Sequence, residues 1–310
     1  MGTTWVARVL GLADRALLVH EPDNESRDPF ALKAKLALGR YPVLSAGEQA
    51  PWEYGRLWEL AFAGATQPRT PRSLATRLLL RKVTKRGELW HALCNHTDGS
   101  QTRKIRAVAA LATPPAGGEA TRRTMVKSVH CPLAIAWITK RIRVEVVIVL
   151  RHPFNTIASW MEMGWGGCGL DTNPLVRERF ADEWDVPPLR AESPTLSRVA
   201  WEVGLFTSAL WAETHKNSDW KVVLHENICT DPAAQFEQLY EDTGLAWTDE
   251  ADRYVRTSNR PGTGFTTDRL AAEQPARWRK RLSADQLEEI RRVLSPFPLP
   301  PWRELLGSEP

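Results

Sequence analysis

The expected fold rests on residues 144–153, which read Val144-Glu145-Val146-Val147-Ile148-Val149-Leu150-Arg151-His152-Pro153. Residues 144–150 are nearly all β-branched or aliphatic, a composition typical of a strand buried on both faces of a parallel sheet. Pro153 suits the first turn of a helix, because the N–H that proline lacks would be unpaired there anyway. The stretch predicts a buried strand that ends at Arg151 and is followed at once by a helix.

Strands and helices alternate on both sides of this stretch. The other predicted strands are 16–20, 125–129 and 220–224. The predicted helices are 196–214, 233–243 and, opened by a capping box of Ser283 with Gln286, the stretch through Leu294. The alternation predicts an α/β fold with a central, mostly parallel sheet flanked by helices.

The composition is that of an ordinary globular protein, with 43% hydrophobic and 25% charged residues among 310. No stretch approaches the apolar length that crosses a bilayer, and residues 1–5 lack the basic and apolar regions of a signal peptide. The four cysteines form no CxxC pair, which predicts reduced thiols and a cytoplasmic location. We expect no metal site, because His91, Cys94 and His96 have no fourth ligand nearby in the sequence.

The strand end at Arg151 has the features of an anion site. The amides at the start of the following helix and the helix dipole both favour negative charge. Arg151 adds a planar guanidinium that matches phosphate geometry, and Ser159 can donate a hydroxyl from the helix. Arginine is also common at strand ends in purely structural roles, so this motif alone does not establish phosphate binding.

A second candidate anion site opens the chain with Gly2-Thr3-Thr4-Trp5. A glycine and two hydroxyl residues at a helix start can surround phosphate oxygens with amides and Oγ donors. Trp5 is a candidate for stacking on an adenine base or for supporting this loop. A small-residue helix cap is the structural alternative.

Together these two segments, with Ser159 eight residues after Arg151, resemble the cofactor-binding signatures of sulfotransferases that use 3′-phosphoadenosine-5′-phosphosulfate (PAPS). The likeness is greatest to bacterial carbohydrate and small-molecule sulfotransferases. It implies a P-loop nucleotide-kinase-like fold, with one sulfotransferase domain over residues 1–310. It also implies that residues 2–5 hold the 5′-phosphosulfate, that Arg151 and Ser159 hold the 3′-phosphate, and that no metal is required. The product would be 3′-phosphoadenosine 5′-phosphate (PAP).

Other segments extend the resemblance. Residues 126–130 look like the family's middle strand, and 220–227 look like its strand before an Asp-Pro helix start. The basic segment 277–280 is similar to the family's C-terminal phosphate contact, for which we name Arg279. The alternatives to Arg279 are Arg260, Arg277 and Lys280. Family members have an apolar strand before the first loop, so we expect such a strand upstream of Met1.

The resemblance leaves two candidates for the base that takes the acceptor's proton. Glu21 precedes a proline after a short strand, as in carbohydrate-type sulfotransferases, and shelter in a cleft would raise its pKa toward neutrality. His130 has an ordinary pKa suited to the task. It lies near the histidine of cytosolic relatives, although there one residue separates lysine from histidine and here two. Lys127 is the candidate for neutralising the leaving phosphate, and a structural role is the alternative for each residue.

Residues 66–87 contain seven basic residues and no acidic one. The seven are Arg69, Arg72, Arg77, Arg81, Lys82, Lys85 and Arg86. The run is either a solvated helix face or a surface for an anionic substrate, an acidic carrier protein or a membrane. A nucleic-acid-binding module is one alternative function, but the interleaved aromatics of single-strand binders are missing, so we expect no nucleic-acid partner. A nucleotide-dependent kinase is the other, and the lack of a GxxxxGKS or GxxxxGKT loop counts against it.

The expected acceptor is a hydroxyl of a carbohydrate, a glycolipid or a secondary metabolite. The long segment 164–192 and the weakly matched region 50–120 are the candidates for lining its pocket. Neither segment identifies the acceptor, and the sequence leaves the oligomeric state open.

Overall fold

The computed structural model describes residues 2–65, 71–84, 89–94, 100–115, 123–262 and 268–303. The chain forms two compact units. The first unit comprises residues 6–144, and the second unit comprises residues 1–5 and 145–310. The expectation of one domain over 1–310 stays a prediction.

The first unit contains a two-stranded parallel sheet, and its helices precede and follow the two strands in the sequence. Strand β1 (Ala16–His20) pairs with β2 (Arg123–Lys127), and His20 is the register partner of Lys127. The helices are α1 (Gly2–Leu10, which begins in the second unit), α2 (Pro29–Lys35), α3 (Trp52–Phe62), α4 (Pro71–Val83), α5 (Ser100–Ala109) and α6 (Ile135–Arg141), with a 3-10 turn at Leu89–Leu93.

Four aromatic side chains pack together in the core of the first unit. Phe30, Tyr54, Trp58 and Trp137 are all buried in one hydrophobic cluster. The start of α2 is fixed by Asp28, whose side chain accepts a hydrogen bond from the amide of Phe30, with proline in the first turn. The packed face of α2 therefore follows from its cap and its apolar spacing together.

The second unit contains the other parallel pair. Strand β3 (Val147–Leu150) pairs with β4 (Lys221–Leu224), and Leu150 is the register partner of Leu224. The helices are α7 (Pro153–Glu162), α8 (Pro174–Val176), α9 (Thr195–Lys216), α10 (His225–Thr230), α11 (Pro232–Asp242), α12 (Asp249–Ser258) and α13 (Ala284–Leu294). Short 3-10 turns lie at Leu170–Thr172, Ala271–Glu273, Arg277–Lys280 and Pro300–Trp302, and a π-helical turn lies at Arg177–Ala181.

The mixed α/β class is confirmed, and each predicted strand has a counterpart. Strand β1 has the predicted bounds, β2 begins two residues before the predicted 125–129, and β3 is shorter than the predicted 144–150. The capping box of Ser283 and Gln286 is present. The strands of the described residues form two separate two-stranded sheets. One extended central sheet is not seen among these residues.

The segment 164–192 is more than a surface excursion, because several of its apolar side chains are buried. These are Cys168, Leu170, Val176, Ala181 and Val186. The amide of Cys168 donates a hydrogen bond to the buried carboxylate of Glu202 in α9, which anchors the segment to the helix.

The cysteines differ in part from the expectation of four reduced thiols. Cys131 and Cys229 are free, whereas Cys94 and Cys168 are disulfide-bonded. Of the helices described, none combines the length and the apolar character that a bilayer crossing needs.

Candidate functional site

The turn after β3 is held by hydrogen bonds from both sides. The amide of His152 donates to Glu226 Oε1 at 3.1 Å, which ties this turn to the segment after β4. The Nδ1 atom of His152 accepts from the amide of Phe154 at 3.2 Å and so caps α7. Burial, with the nearby Arg151 charge, lowers the pKa of His152 to about 4, so the neutral imidazole can accept this bond at neutral pH.

Arg151 directly follows β3, and one N–H of its guanidinium group is unsatisfied. Its Nε atom is buried and has no hydrogen-bond partner among the residues the structure describes. Burial lowers the Arg151 pKa, the Glu226 carboxylate opposes that shift, and the charges of Arg281 and Arg277 add to it. No described acidic side chain forms an ion pair with Arg151. A buried donor without a partner is costly, and a bound anion would remove that cost.

Arg151 belongs to a cluster of like charges. The pKa of Arg269 and that of Arg281 are both lowered, first by burial and then by the charge of Arg277. Arg281 is paired with Glu162 at 2.9 Å. Arg277 acts on each of the other three arginines. The carboxylates of Glu162, Glu226 and Asp268 offset part of their charge, and the positive excess that is left favours an anion.

The C-terminal segment is clamped against α7 by Asn155. The Asn155 amide donates to the carbonyl of Pro275 at 2.9 Å, and its Oδ1 accepts from the amide of Trp278 at 3.0 Å. The Trp278 ring also stacks on His152, with centroids 5.7 Å apart and planes 20° apart. These contacts place Arg277 in the arginine cluster.

The other basic residues of this region have different surroundings. The guanidinium of Arg279 lies 5.2 Å over the Trp278 ring. Arg260 is paired with Asp268 at 3.0 Å. Among the four C-terminal candidates, Arg277 is therefore the one that acts electrostatically on Arg151. The participation of Arg269 and Arg281 was not predicted, because no local sequence signal links them to the end of β3.

Residues 2–5 form the first turn of α1 instead of a loop that precedes it. Gly2 is packed so closely on His225 that a Cβ atom would lie 2.3 Å from the imidazole Cδ2. Trp5 is buried, and its Nε1 donates to Ser258 Oγ at 3.2 Å. Trp5 also packs edge-on against Phe236. These two contacts anchor the start of α1 to α11 and α12.

His225 connects the two predicted anion sites. It follows Leu224 of β4 as Arg151 follows Leu150 of β3, and these leucines are register partners. Burial first, and then the Arg151 charge, lowers the pKa of His225 to about 3. Gly2 and Trp5 of the first segment contact His225, and the charge of Arg151 acts on the same imidazole. The second unit therefore brings both segments to the same edge of its sheet.

Ser159 and the two threonines contribute uncommitted hydroxyls. Ser159 is buried in α7, and Thr3 and Thr4 are half-buried in α1. None of these three hydroxyls donates a hydrogen bond to a described residue, and no hydrogen bond links Ser159 to Arg151. They remain available as donors to a ligand.

The first unit holds the catalytic candidates at the ends of β1 and β2. Glu21 has a left-handed φ of 53°, and its carboxylate accepts hydrogen bonds from Lys127 and, at 2.8 Å, from Asn24. Burial favours the neutral acid, but the Lys127 charge and these hydrogen bonds outweigh it and lower the Glu21 pKa to about 2. The expected rise toward neutrality is wrong, because the lysine lies in direct contact.

His130 is buried and stacks on Tyr41, with ring centroids 5.9 Å apart. Burial, and then the Lys35 charge, lowers the His130 pKa to about 3. Its pKa is therefore not the ordinary value that the sequence led us to expect. The imidazole is neutral at physiological pH and is a weak base.

Asp23 is a titratable residue that the sequence reasoning missed. It is fully buried, and Ser128 Oγ donates to its two oxygens at 2.8 and 2.7 Å. Burial raises its pKa to about 6, although the Lys35 charge and the Ser128 hydrogen bond oppose the rise. The alternation of Glu21, Asp23 and Glu25 was the available signal.

A buried ion triad supports these residues. The Glu25 carboxylate is paired with Lys35 Nζ at 2.8 Å and with Arg40 at 3.3 Å. Burial would raise the Glu25 pKa, but the two cations lower it well below its usual range. Such a buried network is costly to break on one side and holds its members in place.

A cleft of about 200 Å³ opens beside Glu21. Its apolar lining residues are Val19, Pro22, Leu57, Ala65 and Pro115, and its polar ones are His20, Glu21, Arg27, Asp28 and Arg77. Carboxylates and guanidinium groups around a small apolar wall are suited to a polyhydroxylated ligand with a negative group. Of the region 50–120, Leu57, Ala65, Arg77 and Pro115 contribute to this cleft, whereas none of 164–192 does.

The sequence offered His91, Cys94 and His96 as possible metal ligands. The side chains of His91 and His96 lie outside the described part of the chain. Within the part of the chain that is described, no group of three or more His, Cys, Asp or Glu side chains is arranged to hold a metal ion. No family model, no curated protein and no solved structure matches this chain.

Proposed function

We propose that this chain is a sulfotransferase that moves a sulfuryl group from PAPS to a hydroxyl of a carbohydrate, glycolipid or secondary metabolite. One observation carries the proposal. The buried, unpartnered Nε of Arg151 lies among like charges at a sheet edge that also holds the start of α1. PAPS carries a 3′-phosphate and a 5′-phosphosulfate on the same ribose, so it needs two anion sites near each other.

The two sites divide the ligand between them in this proposal. Arg151, Ser159 and Arg277 hold the 3′-phosphate, because a guanidinium binds a phosphate in a forked geometry and the serine hydroxyl is uncommitted. The first amides of α1, with Thr3 and Thr4, hold the 5′-phosphosulfate. The Arg279 contact proposed from the sequence is secondary to that of Arg277.

The proposal includes the sulfotransferase-type α/β fold with a central parallel sheet. Parallel pairing in both β1–β2 and β3–β4 supports it. The passage from β3 through Arg151 into a proline-initiated helix supports it as well. The helix start at Gly2 is the third supporting feature.

Sulfuryl transfer forms a bond from the acceptor oxygen to sulfur and breaks the bond from sulfur to the 5′-phosphate oxygen, so that PAP leaves. The acceptor's proton passes to a base, for which Glu21 is the first candidate and His130 the second. Both groups are unprotonated and weakly basic at neutral pH, and Glu21 comes first because it lines the cleft. Lys127 sets its basicity, because any step that draws the ammonium toward other negative charge raises the Glu21 pKa. The cleft beside Glu21 is the proposed acceptor site.

Calorimetric titration with PAP tests the proposal. We expect the wild-type protein to bind PAP without added metal. The affinity of Arg151→Gln for PAP should be lower by about tenfold or more, because charge-assisted hydrogen bonds are lost. Arg253→Gln, at an exposed position of α12, is the matched control and should bind as wild type does. Absence of PAP binding, or equal binding by Arg151→Gln, overturns the proposal.

The same titration with magnesium and ATP separates the nearest rival. Magnesium-dependent ATP turnover without PAP binding would favour a nucleotide kinase. If PAP binds, a screen of hydroxyl acceptors with labelled PAPS identifies the substrate class.

A further inference from the structure

The α4 helix carries three of its four leucines on the outside. Leu74, Leu78 and Leu79 are 50%, 59% and 42% exposed. The side that faces the first unit instead buries Ser73 and Thr76, with Leu80. An ordinary surface helix has the opposite arrangement, with apolar residues inward and polar residues in water.

Hydrogen bonds fix this inverted orientation. Ser73 Oγ contacts Thr113 Oγ1 at 2.8 Å and donates to the Thr113 carbonyl at 3.1 Å. Thr76 Oγ1 donates to the carbonyl of Arg72 at 2.9 Å, which satisfies a second inward hydroxyl. Arg72 Nε in turn donates to the carbonyl of Leu111 at 3.1 Å. The Thr76 bond lies within α4, but a rotation that buried the leucines would break the bonds of Ser73 and Arg72 to residues 113 and 111. The outward leucines therefore belong to the folded state.

The α4 helix packs against α5, and the charged residues of both helices are all basic. The described segments 71–84 and 100–115 contain seven basic residues and no acidic one. The seven are Arg72, Arg77, Arg81 and Lys82 of α4, and Arg103, Lys104 and Arg106 of α5. No described acidic side chain forms an ion pair with any of them. Leu111, two residues after the end of α5, is 45% exposed, and its carbonyl accepts the Arg72 hydrogen bond at the start of α4.

The exposed leucines and the basic side chains of this surface together distinguish between possible anionic partners. A nucleic acid would use the cations but would gain little from three aliphatic side chains. The headgroup region of an anionic bilayer attracts the cations, and the acyl-chain boundary below it accepts the leucines. An acidic protein is the remaining occupant, and its binding would not depend on lipid.

We propose that the surface formed by α4 and α5, centred on Leu74 and Leu78, binds the surface of an anionic lipid bilayer. The leucines enter the headgroup boundary while Arg81 and Lys82 contact lipid phosphates and carboxylates. Arg77 of the same helix lines the Glu21 cleft. The proposed acceptor would therefore be lipid-linked, and this last consequence alone rests on the proposed function.

Sedimentation with vesicles tests the docking surface. The probes are vesicles of phosphatidylcholine alone and of phosphatidylcholine mixed with phosphatidylserine. We expect binding to the anionic vesicles only, weakened by salt. Arg81→Gln with Lys82→Gln should lower the partition coefficient about 25-fold, from the loss of two surface cations. Leu74→Ser with Leu78→Ser should lower it about tenfold or more.

Two control variants test whether a loss of vesicle binding is specific to α4. Leu175→Ser removes a similarly exposed leucine of the second unit (41% exposed), and Arg253→Gln removes an exposed cation of α12. Both should bind vesicles as wild type does, and far-UV circular dichroism checks that every variant is folded. Equal binding to neutral vesicles, or no difference between the α4 variants and the controls, overturns the proposal. Binding to polyglutamate but to neither vesicle would replace the membrane with an acidic protein partner. PAP affinity is unaffected in either case, so this result and that of the proposed function are read separately.

Discussion

Gly2 and His225 are in such close contact that a single methyl group cannot be added between them. A Cβ atom on Gly2 would lie 2.3 Å from His225 Cδ2 and 3.0 Å from Cγ. The start of α1 is therefore fixed on the residue that follows β4. This contact joins the two segments that the sequence singled out as anion sites.

Gly2→Ala should loosen this contact. We expect a loss of about 1–3 kcal/mol in the free energy of unfolding, as for an overpacked core position, with weaker PAP binding because the first amides of α1 are displaced. Gly47→Ala is the control, since a Cβ there meets no atom within 4 Å. Thermal unfolding and PAP titration of both variants measure the effect. Identical behaviour of the two alanines would show that the contact does not exist in solution.

Arg277→Gln should separate stability from binding. Removing one charge from a cluster of four arginines relieves repulsion, so we expect the unliganded variant to unfold at the same temperature as wild type or a higher one. Its PAP affinity should fall about tenfold. Arg279→Gln, which changes the residue over Trp278, should affect PAP affinity less. Unfolding temperatures with and without PAP give both quantities, and a destabilised Arg277→Gln would contradict the repulsive cluster.

The Glu21–Lys127 pair should make stability depend on pH in the acid range. The folded-state pKa of Glu21, about 2, lies below its ordinary 4.5, so its stabilising contribution is present above about 4.5 and is lost as the pH falls toward 2. Glu21→Gln should thus be less stable than wild type at pH 7. The gap should narrow below pH 4.5. Urea unfolding at pH 7 and pH 3 measures it, and a gap that stays constant would show that the ion pair is not formed.

Asp23 should have the opposite effect. Its folded-state pKa, about 6, lies above its ordinary 3.8, so the folded state holds a proton more tightly and stability declines as the pH rises from about 4 to 6. Asp23→Asn keeps an acceptor for Ser128 and should be as stable as wild type or more stable at pH 7.5, with the advantage gone below pH 4. Urea unfolding across this range tests it. An advantage at pH 4 equal to that at pH 7.5 would be inconsistent with a buried titrating carboxyl.

Turnover separates the two candidate bases. If Glu21 accepts the acceptor's proton, Glu21→Gln should lower kcat about 100-fold or more while the KM for PAPS is unchanged. His130→Gln should then retain most of its activity, apart from any loss of folded protein. Steady-state rates at saturating PAPS measure both. A Glu21→Gln enzyme of near-native rate removes the first candidate.

The sequence by itself determined the local elements. The apolar run up to Leu150, the proline after Arg151 and the capping box at Ser283 predicted strands and helix starts that the structure contains. These features depend on residues close together in the chain, whose spacing matches the periods of the strand and the helix. Residues 2–5 and Arg151 were singled out as anion sites for the same reason.

Only the tertiary structure decided the chemical state of the side chains. Arg277 and Arg269 lie more than one hundred residues after Arg151 in the chain, and no local pattern links them to it. The pKa of Glu21 and that of His130 are low because of burial and of which cations lie beside them. Desolvation and Coulomb interactions depend on distances through space, which the order of residues along the chain does not specify.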